Sequence, residues 1–217
     1  MLSLTEENYL KSIFVLNQER AESATTNAIA EKLNTKASSV TDMLKRLLKK
    51  ELIHYKKYQA VKLTNTGKEI AISILRKHRL WEFFLVEKLQ FKWDEVHEVA
   101  EQLEHIHSKK LTNQLDAFLG HPKFDPHGDP IPDKNGQFPM KLNKTLSMAK
   151  ESEALVVIGV KDHSSEFFNY LERLNIELGT KLTIELINEF DASMEIKINN
   201  KSSATISHEV AQNLYVK

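Results

Sequence analysis

The sequence predicts a mainly α protein with a small β domain at its C-terminal end, and three observations carry that reading. Before Gly120, apolar residues recur at helical spacing, as in Tyr9, Ile13 and Leu16, in Leu75, Phe83 and Val86, and in Val96, Val99 and Leu103. After Glu151 the pattern turns strand-like. Ala154–Val160 is a continuous apolar run, Lys181–Ile187 and Met194–Ile198 alternate with period two, and one short helix is expected near Glu166–Leu174. All five prolines, together with Gly120, Gly128 and Gly136, fall between the two regions and mark residues 121–150 as a linker.

Composition narrows the chemistry. The 30 basic and 30 acidic residues cancel, so any basic surface must come from how charge is distributed along the chain. The absence of cysteine excludes disulfides and any zinc site or nucleophile that needs a thiolate. No apolar run is long enough to span a bilayer, and Met1–Asn17 is polar and helix-like rather than a cleavable signal, so a cytoplasmic protein with no membrane partner is expected.

The first polar signals lie between Thr25 and Leu63. Thr25, Thr26 and Asn27 offer capping side chains for a short helix through Leu33, which Asn34 can close in a left-handed turn. A second helix over Lys36–Lys50 buries Val40, Met43, Leu44, Leu47 and Leu48 and turns Ser38, Ser39, Thr41, Asp42 and Lys45 outward. Leu52–Leu63 then reads as two strands with Lys56, Lys57, Tyr58 and Gln59 at the tip. Eight Lys or Arg stand against two acidic residues between Lys36 and Lys62. A tight helical pair followed by a basic hairpin is a winged helix-turn-helix, in which the second helix brings small polar residues to base edges of double-stranded DNA. Thr26, Lys36, Ser38, Ser39, Thr41, Asp42, Lys45, Lys56 and Lys57 are the candidate contacts, the lysines serving phosphates in a salt-dependent way.

An acidic stretch complements this basic one. Between Trp93 and His107 stand Asp94, Glu95, Glu98, Glu101 and Glu104 with His97, His105 and His107, and no Lys or Arg. On a helix, His97, Glu101, Glu104 and His105 share one side and can converge on one point. His78 and Glu82 stand four apart on another long helix over Thr64–Leu89. Imidazole and carboxylate donors without thiolate suit Mn²⁺ or Fe²⁺, while Zn²⁺ would also bind. The segment His97-Glu98-Val99-Ala100-Glu101 approaches a zinc-protease motif but has Glu where the second His is required, so no enzyme is expected.

These residues resemble the iron- and manganese-dependent repressors of the diphtheria toxin repressor and manganese transport regulator family. The resemblance runs through Thr5–Leu16, Ser38-Ser39-Val40-Thr41, Leu63-Thr64-Asn65-Thr66-Gly67, Arg76–Leu80 with Glu82, Glu104-His105, and Asp125–Pro132. It implies a winged helix-turn-helix over residues 1–64, a helical metal-binding and dimerisation domain over 65–120, the linker over 121–150, and an SH3-like (FeoA-like) domain over 151–217. It also implies a repressor that binds operator DNA as a homodimer and controls metal-ion homeostasis. Apolar residues over Phe83–Leu89 and Leu111–Leu119 are candidates for the dimer interface.

His78, Glu101, Glu104 and His105 sit at family ligand positions, and Glu at 101 is the choice of manganese-responsive members. His78, Glu82 and His97 match an ancillary site of iron-type members. Two departures stand out: Asn8 takes the place of an Asp or Met ligand, and Lys11 replaces a Glu that completes a binuclear manganese arrangement. Asp162, His163 and Glu166 are the nearest substitutes for ligands that the SH3-like domain supplies in the family. The metal expected is Mn²⁺, with Fe²⁺ and Zn²⁺ as alternatives; a regulator that responds to iron or to an organic ligand is the rival reading.

Overall fold

A computed structural model describes residues 2–19, 23–56, 59–92, 95–140, 144–162 and 164–217. It divides into two compact units. The first comprises Met1–Trp81, Ala100–Phe118 and Pro132–Phe138; the second comprises Glu82–Val99, Leu119–Ile131 and Pro139–Lys217.

In the first unit, α1 (Leu4–Glu19) opens with a capping box: the Glu6 N–H donates to Ser3 Oγ, and the Ser3 N–H donates back to Glu6 Oε2. Helix α2 (Thr26–Lys32) is capped by Thr25, whose hydroxyl oxygen accepts from the Ala28 N–H, and Asn34 follows it at φ 45°. Helix α3 (Ala37–Lys49) comes next, then the hairpin β1 (Ile53–His54) and β2 (Lys62–Leu63), paired antiparallel. Leu10, Ile13, Ile29, Val40, Leu44, Leu47 and Val61 fill one apolar core, so α1 is the floor on which the helical pair and the hairpin rest. Leu48 departs from expectation and is 42% exposed. The inward stripe of α3 is carried by Val40, Leu44 and Leu47, and the next residue is turned about 100° away from it.

Helix α4 (Asn65–Leu89) begins where Thr64 Oγ1 accepts from the Gly67 N–H. A Cβ on Gly67 would lie 2.0 Å from the Leu52 carbonyl oxygen, which explains glycine at that place in the Leu63–Gly67 motif. Helix α5 (Val96–Leu103) is shorter than the sequence suggested and ends before Glu104 and His105, which lie in the following turn. Helix α6 (Lys109–Phe118) is tied to α4 by the Arg76–Asp116 ion pair at 2.9 Å. Phe138 stacks on Phe14 with ring centroids 5.9 Å apart, so the end of the Pro-rich stretch packs on α1.

The second unit is built on a five-stranded antiparallel sheet in the order β6-β5-β4-β3-β7. Its elements are β3 (Ala154–Val160), α7 (Ser165–Arg173), β4 (Lys181–Ile187), β5 (Met194–Ile198), β6 (Ser202–Ile206), α8 (His208–Gln212) and β7 (Leu214–Val216). Leu155, Val157, Leu182, Ile184, Ile196 and Ile198 face a core that Phe167, Phe168 and Leu171 of α7 close. The edge strands β6 and β7 escaped the sequence reading, since Ser202–Thr205 has little apolar alternation and Leu214–Val216 is very short.

Residues 119–131 are no free tether. Phe124 bridges Pro130, Asp125 Oδ1 accepts from the His127 and Asp129 N–H groups, and the Val160 N–H donates to the His127 carbonyl at 2.7 Å. Gly128, at φ 90°, lies directly against Gly159 of β3, and a Cβ on Gly159 would fall 2.5 Å from Gly128 Cα.

Candidate metal centre and nucleic-acid interface

On α3, Ser38, Ser39, Asp42 and Lys45 are exposed and Thr41 is half-buried. The hydroxyl of Thr41 donates to the Ala37 carbonyl at 3.0 Å, and Lys45 pairs with Asp42 at 3.0 Å. Lys36, at the start of the helix, provides no side-chain cap, which leaves first-turn N–H groups facing outward. Lys56 is exposed beside the hairpin, Thr26 is half-buried at the start of α2, and Lys57 lies outside the described residues. Lys50, which closes α3, reaches back to α1 and pairs with Glu6 at 2.6 Å. That ion pair, backed by hydrophobic packing, joins the reading helix to the helix that carries Asn8 and Lys11.

The predicted metal residues fall into two groups. The first gathers Glu7 and Lys11 of α1, the helix that also carries Asn8, with Lys77 and His78 of α4, Glu101 near the end of α5, and Glu104, His105 and His107 beyond it. Glu104 is fully buried. Its Oε2 lies 2.8 Å from Lys11 Nζ and 2.6 Å from His78 Nδ1. Burial opposes ionisation of Glu104, but the His78 and Lys11 partners win and hold its carboxyl below the usual carboxylate range. Lys11 also pairs with the more exposed Glu101 at 3.2 Å. His105 turns Nδ1 to Glu7 Oε2 at 2.6 Å, which leaves Nε2 3.7 Å from Glu104 Oε1. His107 holds the other oxygen of Glu7 at 3.1 Å.

The second group lies where α4 ends. His97 Nδ1 is 3.2 Å from Glu82 Oε1 and His127 Nδ1 is 3.9 Å from the same atom. Donor atoms of Glu82, Asp125 and His127, all three buried, lie within 4.8 Å of one another. Glu104 and His105 lie beyond the end of α5, so they are not presented from one side of that helix as the spacing implied. Asp162 Oδ1 accepts from the Ser164 N–H ahead of α7, Glu166 is exposed, and His163 lies outside the described residues.

Glu7, Lys77, His107, Asp125 and His127 take part although they were not expected as ligands from the sequence. Glu7 and Lys77 sit beside residues that were, with nothing in their spacing to distinguish them. Asp125 and His127 were assigned to the linker, although the Asp125–Pro132 motif had already marked that segment.

Residues 1–61 match the family described as iron dependent repressor, N-terminal DNA binding domain, and residues 64–133 match its metal binding and dimerisation domain. Residues 144–217 match the FeoA domain. A solved manganese-dependent transcriptional repressor in complex with manganese is 32% identical over 97% of this chain and 98% of its own, with a TM-score of 0.76. The chain belongs to the iron- and manganese-dependent repressor family. It is thus a metal-dependent transcriptional repressor rather than an enzyme. The iron-dependent repressor IdeR of Mycobacterium leprae is 27% identical over 95% of the chain and 94% of its own length. The structure of ScaR with bound Cd²⁺ is 32% identical, covers 98% of each chain and has a TM-score of 0.69.

The first group fits the metal such a repressor requires. Glu104 Oε1 and Asn8 Oδ1 are buried without a hydrogen-bond partner, and buried polar atoms in folded proteins are normally paired. Glu104 Oε1 lies 3.7 Å from His105 Nε2, and carboxylate, amide and imidazole atoms of this kind suit a divalent cation. Among the described residues, no helix is long and apolar enough to cross a membrane.

Proposed function

We propose that this chain is a manganese-responsive repressor that acts in the cytoplasm, binds double-stranded operator DNA as a homodimer and controls metal-ion homeostasis. The observation that carries the metal preference is the donor chemistry. Both groups offer only carboxylate, amide and imidazole atoms, and the chain has no thiolate to favour a softer ion. Asn8, Glu104 and His105 would hold the first ion, with His78 and Glu101 beside it, and Glu82, His97, Asp125 and His127 a second. The iron reading keeps support from the iron-dependent relatives, since carboxylate and imidazole also suit Fe²⁺.

A bound cation supplies the positive charge that lets buried carboxylates approach one another. The remaining steps belong to the protein. Asn8 on α1 draws toward Glu104 and His105, beside the existing Glu7–His105 contact, and α1 carries α3 with it through the shared core and the Glu6–Lys50 pair. Orientations of α3 that fit the operator then gain population, so DNA and metal strengthen one another's binding reciprocally. Ser38, Ser39, Thr41 and Asp42 would approach base edges, with Thr26, Lys36, Lys45, Lys56 and Lys57 at the backbone. Leu111 and Phe118 of α6 are exposed apolar residues within the dimerisation match and supply a self-complementary surface.

The test is operator binding at fixed salt by the purified protein, with Mn²⁺, Fe²⁺, Zn²⁺ or a chelator, using DNA from upstream of a metal-uptake gene. Binding that needs metal and is strongest with Mn²⁺ is expected. Equal affinity in chelator would overturn the metal-responsive reading, and a clear preference for Fe²⁺ would replace manganese by iron.

A further inference from the structure

We infer that Lys11 acts as a built-in cation of the first group, so that this site takes one divalent ion although its carboxylates and imidazoles outnumber what one ion needs. The inference rests on the metal-dependent reading of the same site and specifies its stoichiometry.

The donors divide into two sides. Lys11 Nζ sits between Glu101 Oε1 at 3.2 Å and Glu104 Oε2 at 2.8 Å, bridging two carboxylates as a metal ion does. His78 closes on the same Glu104 oxygen. On the other side, Glu104 Oε1 is buried without a hydrogen-bond partner and His105 Nε2 stands 3.7 Å from it; Asn8 Oδ1, on the helix that carries Lys11, is likewise buried without one. The side with unmet donors is where a cation is wanted; the other already holds an ammonium.

Charge leads to the same count. The carboxylates of Glu7, Glu101 and Glu104 face the ammonium groups of Lys11 and Lys77, and all of these residues except Glu101 are buried. Imidazole binds a metal in its neutral form, so the carboxylates and ammonium groups leave one negative charge over. A single divalent cation turns this into one positive charge, whereas two would leave three in surroundings that solvate charge poorly. Lys11 cannot swing clear at no cost, because its stem is buried within α1's packing and leaving would strip Glu104 of its charged partner.

The test uses the full-length protein loaded with Mn²⁺, read by bound metal per chain and by electron paramagnetic resonance. Two Mn²⁺ ions sharing carboxylates at about 4 Å give an exchange-coupled spectrum, whereas separate ions do not. The wild type is expected to show uncoupled Mn²⁺ only, including any ion in the Glu82 group. Lys11→Glu is expected to bind one more Mn²⁺ per chain and to gain the coupled spectrum. Lys11→Gln removes the charge without adding a ligand and should tighten the first ion by about tenfold.

A coupled pair in the wild type would overturn the inference, as would an unchanged Mn²⁺ count in folded Lys11→Glu. Should Lys11→Glu fail to fold, unchanged or weaker Mn²⁺ affinity in Lys11→Gln overturns it instead. Wild-type operator binding that ignores metal would sink the repressor reading; metal-dependent binding alongside a coupled pair would sink only the role of Lys11.

Discussion

Replacing Glu104 by Gln conserves volume and removes one buried charge, and the structure allows the consequence to be worked out in sign and size. The carboxylate is fully buried between Lys11 at 2.8 Å and His78 at 2.6 Å. Its ionised form is favoured by these partners despite burial. Removing one member of a buried ion pair costs about 3–5 kcal/mol, because the other is left uncompensated. Lys11 keeps Glu101, but that side chain is 43% exposed and such a pair recovers about 1 kcal/mol at most. A loss of about 3 kcal/mol without metal is therefore expected, a fall of about 1–3 M in the urea midpoint. Metal at about 100 times its dissociation constant should add about 2.7 kcal/mol to the wild type, and less than half of that to the variant, which lacks the central donor. Urea unfolding of both proteins with chelator and with Mn²⁺ measures all four quantities. A Gln variant as stable as the parent would mean that desolvation outweighs pairing in this cluster, and undiminished stabilisation by Mn²⁺ would remove Glu104 from the ligands.

Three further outcomes follow from particular contacts. Gly159→Ala drives a Cβ to 2.5 Å from the Gly128 backbone, where no side-chain rotation can relieve it; a loss of about 1–3 kcal/mol is expected in urea unfolding, with weaker metal binding by the Glu82, Asp125 and His127 group. Lys45→Ala and Lys56→Ala should each weaken operator and random DNA alike and lower the slope of log affinity against log salt by about one, which a salt titration of binding reads directly. Lys50→Ala breaks the Glu6 link between α1 and α3. Its unfolding free energy should fall by about 1 kcal/mol or less, while the ratio of operator affinities with and without Mn²⁺ falls at least about threefold; an unchanged ratio would leave the apolar core to carry the coupling.

The sequence by itself determined what depends on neighbours along the chain. Val40, Leu44 and Leu47 at helical spacing, Thr25 as a cap, Asn34 in a left-handed turn and the alternation of Lys181–Ile187 each report a local preference, and each was legible. So were the residue types of the metal chemistry, because the lack of cysteine and the run of His and Glu after Trp93 require no fold to be seen. Partnership was not legible. Spacing put Glu104 and His105 on the helix of His97 and Glu101, but where a helix ends is a contest between local propensity and the contacts the next residues can make, and α5 stops at Leu103. The union of Asp125 and His127 with Glu82, some 43 residues away along the chain, depends on a turn held by Asp125 and seated against Gly159. The ammonium of Lys11 between Glu101 and Glu104 likewise joins residues 90 and 93 positions apart. A pattern of single residues carries no record of such pairings, since they are settled only when packing brings distant helices close enough for charge to choose its partners.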